Sequence, residues 1–457
     1  MGSGAGDATR TMHGDPGARS RLGYASGGSM QTETAEAPTT VNVATPDRPM
    51  SAATAHVPLL VAMTIAHAVV DTYATTVYPL LPFWQQKFGL TYGLAGLIAA
   101  VASLTGSVAQ PIVGIVTDRG RDPRWVALSV AIATIGISLI GTMSAYPAFL
   151  AMVVVGGIGV AGFHPQGYKI VGSYAGKSSA LATSWFLVGG NVGVALGPIV
   201  GTTLVLAFGT AGTLGLAPVG LLIAGYLWWA VPRWTAQVGG DTKPKAEPNP
   251  PPREIASLRW SRRVGALGVL VTLVAVRSTM SSSFNSYVPL YFVREAGQTE
   301  EFASQVLSVM LMIGAGATLV GGHLADRYGR LRVLAVTLAG VPFTVAGFLS
   351  LPAASPIAIA LLWASGALIL AGFSITVVLA QELWFERRAL ASGLIVGFAF
   401  GMGGLLVPGV GAVADAFGLR TALFAVGVLA MVPLALTGLV GWLLAPAAGG
   451  KTDPTTP

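Results

Sequence analysis

Residues 321–333 read GGHLADRYGRLRV, and they bring Asp326, Arg327, Arg330 and Arg332 together in a 457-residue chain of which only 10% is charged. A looser copy, GIVTDRGRDPRW, stands at residues 114–125. Outward from the first cluster the charge disappears. Glu301 to Asp326 encloses 24 residues without Asp, Glu, Lys or Arg, and Arg332 to Glu382 encloses 49. A membrane-crossing helix needs ~20 mostly apolar residues, so these intervals predict one helix and two. The same ruler predicts two helices each in Arg124–Lys169 (44 uncharged residues) and Lys177–Arg233 (55), and one each in Lys87–Asp118, Arg388–Asp415 and Arg420–Lys451. Two further apolar segments, near 57–83 and 264–293, carry Asp71 and Arg277. The expectation is an all-α polytopic membrane protein with twelve helices. Strands are excluded because the runs are long and continuous, and a bilayer offers no water to unpaired backbone groups.

Lysine and arginine placement predicts orientation. With both termini cytoplasmic, 22 of the 26 basic residues fall inside, Lys87, Arg294 and Arg420 fall outside, and Arg277 lies within a helix. The net charge of +7 is thereby read as a topology signal, and no nucleic-acid partner is expected. Residues 1–55 read as a disordered cytoplasmic tail, since they lack the apolar stretch of a signal peptide. Residues 232–263 contain KPKAEPNPPPRE and read as a cytoplasmic Pro-rich linker, with a second tail at 446–457. This leaves two six-helix bundles, 56–231 and 264–445. Fixed offsets support their duplication: Pro79 to Pro289 and Pro198 to Pro408 are each 210 apart, AGF at 161 and at 371 likewise, and Asp118 to Asp326 is 208. Parallel repeats of this kind place a binding site near the bilayer midplane where they meet.

The 321–333 stretch resembles the loop signature of the major facilitator superfamily, with Gly322, Asp326, Arg327, Gly329 and Arg330 in place. The copy near 114 keeps Gly114, Asp118 and Arg119 and departs afterwards. The resemblance implies that Asp118, Arg119, Asp326, Arg327 and Arg330 hold one conformational state through charge pairing at helix ends; simple loop anchoring is the alternative. GGNVGVALGPIVG at 189–201 is similar to the antiporter motif of drug:proton exporters through Gly193, Gly197, Pro198 and Gly201, and it also suits ordinary close packing of helices. HAVVDTYATTVYPLLP at 67–82, SVAQPIVGIVTDR at 107–119 and the segment from GFHPQG at 162 to Pro198 together resemble the fosmidomycin-resistance exporters.

Chemistry must come from the polar groups within the apolar segments, each costing several kcal/mol in order of magnitude unless paired or hydrated. His67 and Asp71 are four residues apart and share a helix face, and the 210 offset carries His67 onto Arg277. The expectation gives the coupling proton to Asp71, with His67 either a second carrier or an interior hydrogen-bonded histidine. Arg277 is expected to bind an anionic substrate through its permanent charge and forked donors, pairing with Asp71 once substrate leaves; a permanent Asp71–Arg277 pair tying two helices is the alternative. Asn191, Tyr73 and Tyr287 are candidate substrate contacts, the aromatics being equally at home in a core. Glu382, beside Gln381, is read as a proton-route extension or a cytoplasmic anchor, and His164, with Lys169, as a gate or anchor near the cytoplasmic end of the fourth helix.

Enzyme chemistry lacks its parts, with no P-loop lysine motif, nucleophile elbow or metal-ligand spacing, and no cysteine for disulfides or thiol catalysis. No cofactor or metal is expected; energy comes from a proton gradient. The expected function is proton-coupled efflux of a small anionic or amphiphilic compound such as fosmidomycin, by alternating access, from a single chain in the bacterial inner membrane. An importer of an organic anion or sugar, and a non-transporting scaffold or sensor, remain open at this point.

Overall fold

The computed structural model describes residues 56–110, 122–174, 179–238 and 253–445. Among these, no strand occurs, and eleven helices are long and apolar enough to cross a membrane. They are α1 (Val57–Thr76), α3 (Trp125–Thr142), α4 (Tyr146–Tyr174), α5 (Leu181–Phe208), α6 (Thr210–Ala236), α7 (Trp260–Arg294), α8 (Glu300–Tyr328), α9 (Arg330–Ser350), α10 (Pro356–Leu383), α11 (Leu390–Phe417) and α12 (Leu419–Leu444). A shorter apolar helix, α2 (Tyr92–Ser107), runs towards residues 111–121 and completes the expected twelve. Its intended gating residues Asp118 and Arg119 lie outside the described residues, as do 1–55, 239–252 and 446–457. Large apolar side chains such as Leu222, Leu319, Phe343 and Phe417 face outward, each more than 70% exposed, which suits a multi-pass protein whose solvent at that surface is lipid.

The expected linker is shorter than its composition suggested. The sixth helix continues to Val238, a one-turn helix spans Arg253–Ala256, and α7 begins at Trp260. Helical backbone propagates into these polar flanks because amphipathic ends gain packing: Arg263 pairs with Glu386 at 2.8 Å and Arg262 donates to the Trp442 carbonyl at 3.2 Å.

The duplicated prolines behave differently in the two halves. Pro79 falls in the turn between α1 and a short helix, Leu81–Phe88, whereas Pro289 sits inside the continuous α7. The signature loop itself is a tight turn: Gly329 adopts φ +91°, favoured by its missing Cβ, so α8 ends at Tyr328 and α9 starts at Arg330. Asp326 and Arg327 are exposed there, without an ion pair to any described residue; Arg330 instead pairs with Glu382 at the end of α10. Among the described residues, the charge pairing expected of the signature is carried by Arg330. Glu382 takes its anchoring role, beside Gln381, which donates to Ser392 at 2.7 Å.

Candidate functional site

The α1–α5 seam positions the first group of polar residues. Gly189, Gly193, Gly197 and Gly201 face α1, where an added Cβ would strike Thr64, Ala68, Thr72, Thr75 or Thr76. Close approach brings three α1 threonine hydroxyls, each also bonded to the α1 carbonyl four residues back at 2.7–2.9 Å, within reach of α5 carbonyls: Thr72 to Gly193 at 3.2 Å, Thr75 to Val194 at 3.1 Å and Thr76 to Gly197 at 3.3 Å. Pro198 has no N–H for the carbonyl four residues back, which is that of Val194; the Thr75 hydroxyl lies within reach of it at 3.1 Å, shared with the Asp71 carbonyl at 2.9 Å. The motif read as an antiporter signature thus builds the contact that sets α1 against α5.

Gly190, in the same seam, leaves room for His67 and Asp71. His67 Nε2 lies 3.2 Å from Asp71 Oδ2, and His164 Nε2 from α4 lies 3.2 Å from Asp71 Oδ1. His164 therefore belongs to this cluster and is no cytoplasmic anchor. Its place near the end of the uncharged Arg124–Lys169 interval suggested the membrane edge, but α4 runs on to Tyr174 and carries Lys169 within it. The other ring nitrogens are committed: His67 Nδ1 is 2.7 Å from the Phe186 carbonyl, and His164 Nδ1 is 2.8 Å from that of Val160. A carbonyl only accepts, so both Nδ1 atoms carry hydrogen; the tautomers follow from these partners. Each neutral ring then offers an Nε2 lone pair to a carboxylate that also only accepts. The contacts become attractive when a proton sits between them. The three ligand atoms lie within 4.8 Å of one another, close enough to share one small cation.

Arg277 occupies the equivalent place on α7. It is 3% exposed; Nη2 reaches Thr376 Oγ1 of α10 at 3.4 Å, and Nη1 has no partner. Its guanidinium lies 6.0 Å from the Phe373 ring, as His67 lies 5.7 Å from Phe163, the residue 210 positions earlier. No ion pair joins Arg277 to Asp71. Two histidines of the first half already hold the carboxylate, and Arg277 is turned into its own half.

The remaining candidates divide. Asn191 is exposed on α5, one turn from Ala195, whose carbonyl accepts the Ser308 hydroxyl of α8. Tyr73 and Tyr287 are buried, with hydroxyls bonded to the Leu216 and Val407 carbonyls at 2.8 and 2.9 Å. They are packing residues, corrected here from substrate contacts, because neither hydroxyl is free and neither ring reaches a surface. Sequence reasoning missed Ser281 and Asn285 on α7, although the 210 offset carries Asp71 and Thr75 onto them.

The comparisons agree with this architecture. Residues 63–408 match the family model described as Major Facilitator Superfamily. The chain is 32% identical over 367 residues to the "Fosmidomycin resistance protein" of Escherichia coli (strain K12), covering 78% of this chain and 86% of that protein. It is 30% identical over 389 residues to the "Uncharacterized MFS-type transporter YfnC" of Bacillus subtilis (strain 168), covering 85% and 92%. Among solved structures, a bacterial homologue of the human lysosomal transporter Spinster superposes with a TM-score of 0.69 at 18% identity, over 84% of this chain and 97% of that one. The twelve-helix architecture, the signature turn at Gly329 and these matches make the chain a member of the Major Facilitator Superfamily, a multi-pass membrane transporter of small molecules and not an enzyme.

Proposed function

We propose that this transporter is a proton-coupled exporter of a small anionic or amphiphilic compound, fosmidomycin among them, and that it works by alternating access. It acts in the bacterial inner membrane as a single chain with both termini cytoplasmic, as its basic residues argue. The observation that carries the reading is the division of charge between equivalent helices. The first half holds a carboxylate between two imidazole Nε2 atoms at 3.2 Å, an arrangement that calls for a proton. The second half holds a buried guanidinium with an unpartnered Nη1, an arrangement that calls for an anion. Burying a charge without a partner costs several kcal/mol in order of magnitude, so anion binding at Arg277 relieves a strain already present. The name of the Escherichia coli relative supports export and this substrate class.

Charge balance supports a second reading. Asp71 and Arg277 offset each other when both sites are empty, and again when a proton and an anion fill both, which favours movement of the two together. The sign of one measurement separates these. Proteoliposomes containing a luminal pH dye are given external fosmidomycin, with protein-free vesicles as control. Luminal alkalinisation establishes exchange, acidification establishes co-transport, and no change removes both. Asp71→Asn is expected to abolish whichever signal appears while leaving the protein folded.

A further inference from the structure

The Asp71 cluster holds more acceptors than one proton can serve. The Phe186 and Val160 carbonyls fix the Nδ1–H groups of His67 and His164, so both Nε2 lone pairs meet the carboxylate, one at each oxygen, 3.2 Å away. One proton bridges one of these contacts and leaves the other two acceptors facing each other. A cation placed among them satisfies all three side chains at once. The spacing suits it, because donor atoms about 3.3 Å apart surround a tetrahedral ion bound at ~2.0–2.1 Å. Here each Nε2 is 3.2 Å from a carboxylate oxygen, and the three ligand atoms lie within 4.8 Å of one another. A backbone carbonyl on the far ring nitrogen is, moreover, a usual support for a metal-binding imidazole. There is also room. A Cβ added at Gly190 would stand 2.7 Å from both His67 Nε2 and Asp71 Oδ2, so the missing side chain leaves space bordering two of the ligand atoms. Aromatic rings wall His67, with Phe186 stacked on it at 4.0 Å and Phe163 and Tyr168 at 5.7 and 6.4 Å. Asp71 and His164 keep a partly exposed edge, which gives an ion its way in.

We propose that His67, Asp71 and His164 form a binding site for a divalent transition-metal ion, with zinc as its representative. Two imidazole nitrogens and a carboxylate suit zinc, cobalt or nickel. Magnesium and calcium take oxygen ligands, about six or more of them, and a set that is two-thirds nitrogen does not supply these. With three protein ligands the ion keeps a further position for water or a small anion. The ligands come from α1 and α4 and the space beside them from α5, so the ion ties two helices together against the third. Zinc binding here is independent of the coupling role proposed for Asp71, since it requires only that the three ligand atoms converge.

The test is calorimetric titration of the purified full chain, in detergent and without a polyhistidine tag, with zinc chloride and separately with magnesium chloride. His13→Ala and His323→Ala are introduced together first, so that histidines elsewhere add little background. This chain is expected to bind one zinc ion and to ignore magnesium. His164→Gln keeps a hydrogen-bond donor beside Asp71 but removes a ligand, and is expected to weaken zinc binding by about a hundredfold, since losing even a hydrogen-bond partner of a ligand costs ~10–100-fold. Gly190→Ala leaves all three ligands in place and fills the space beside them, and is expected to weaken zinc binding at least about tenfold. His67→Gln replaces His164→Gln if the latter is not monodisperse. Absence of saturable zinc binding, magnesium bound as tightly as zinc, or an unchanged zinc affinity in the ligand variant or in Gly190→Ala each overturns the site. The coupling role of Asp71 is read separately, from the vesicle pH signal with no metal added, and survives any of these outcomes.

Discussion

Thr75 matters because of a proline on another helix. Its hydroxyl is shared between the Asp71 carbonyl at 2.9 Å and the Val194 carbonyl at 3.1 Å, which Pro198 leaves without its usual N–H. Thr75→Val keeps the shape and removes the donor, and is expected to destabilise the protein by about 1–3 kcal/mol. In a Pro198→Ala background the restored backbone N–H satisfies that carbonyl, so most of the loss should vanish; thermal unfolding in detergent across the four variants measures this coupling. Tyr73 poses the opposite case. Its hydroxyl contacts the Leu216 carbonyl and no crevice, so Tyr73→Phe should cost about 1 kcal/mol of stability and leave the KM for substrate unchanged. A raised KM would return it to the substrate site. His164 is the residue on which coupling and structure separate most cleanly. His164→Gln keeps a donor for Asp71 but cannot carry a proton, so substrate-driven pH change in vesicles should collapse while anion binding at Arg277 persists.

At the level of elements, α1 and α5 behave as one piece. Gly197 faces the Thr72 carbonyl and the Thr75 hydroxyl so closely that Gly197→Val forces the helices apart, which should lower folded yield and disturb the Asp71 cluster one turn away. A second device joins α2 to α11. Asp415, near the end of α11, accepts from the backbone N–H groups of Tyr92 and Gly93 at 2.7 and 2.9 Å, capping the first turn of α2. A carboxylate at a helix N-terminus is favourable by charge as well as by hydrogen bonding, worth about 1 kcal/mol or somewhat more. The cap crosses from one half of the chain to the other. It therefore stabilises one conformation of the transporter rather than the fold of either half.

For the whole molecule, that cap has company at the same end. Arg294 of α7 bonds the Gln85 side chain at 3.1 Å and the Pro82 carbonyl at 2.9 Å, and the Tyr287 hydroxyl comes within 3.3 Å of the Tyr92 carbonyl. The halves are closed on the Lys87 side in this conformation. Removing the cap with Asp415→Ala should shift the closed population there by about tenfold, since ~1.4 kcal/mol is a factor of ten. The chain has no cysteine, so spin labels at Ser144→Cys and Ala354→Cys, in the α3–α4 and α9–α10 turns, report that shift without background; an unmoved distance distribution would show the cap to be dispensable. The sequence by itself determined the number of crossings, the duplication and the short roll of polar residues inside the membrane. Each depends on composition along a single strand of chain: apolar length for the crossings, the 210 offset for the repeat, and the placement of His67, Asp71 and Arg277 against it. Only the tertiary structure decided which of those residues meet. His164 joins Asp71, Arg277 keeps to its own half, and the hydroxyls of Tyr73 and Tyr287 are consumed by carbonyls. The reason is physical. Side-chain neighbours across helices depend on how each helix is rotated and how closely it approaches, and here those quantities are set by glycine seams and by a proline that frees a carbonyl, contacts whose partners lie more than a hundred residues apart.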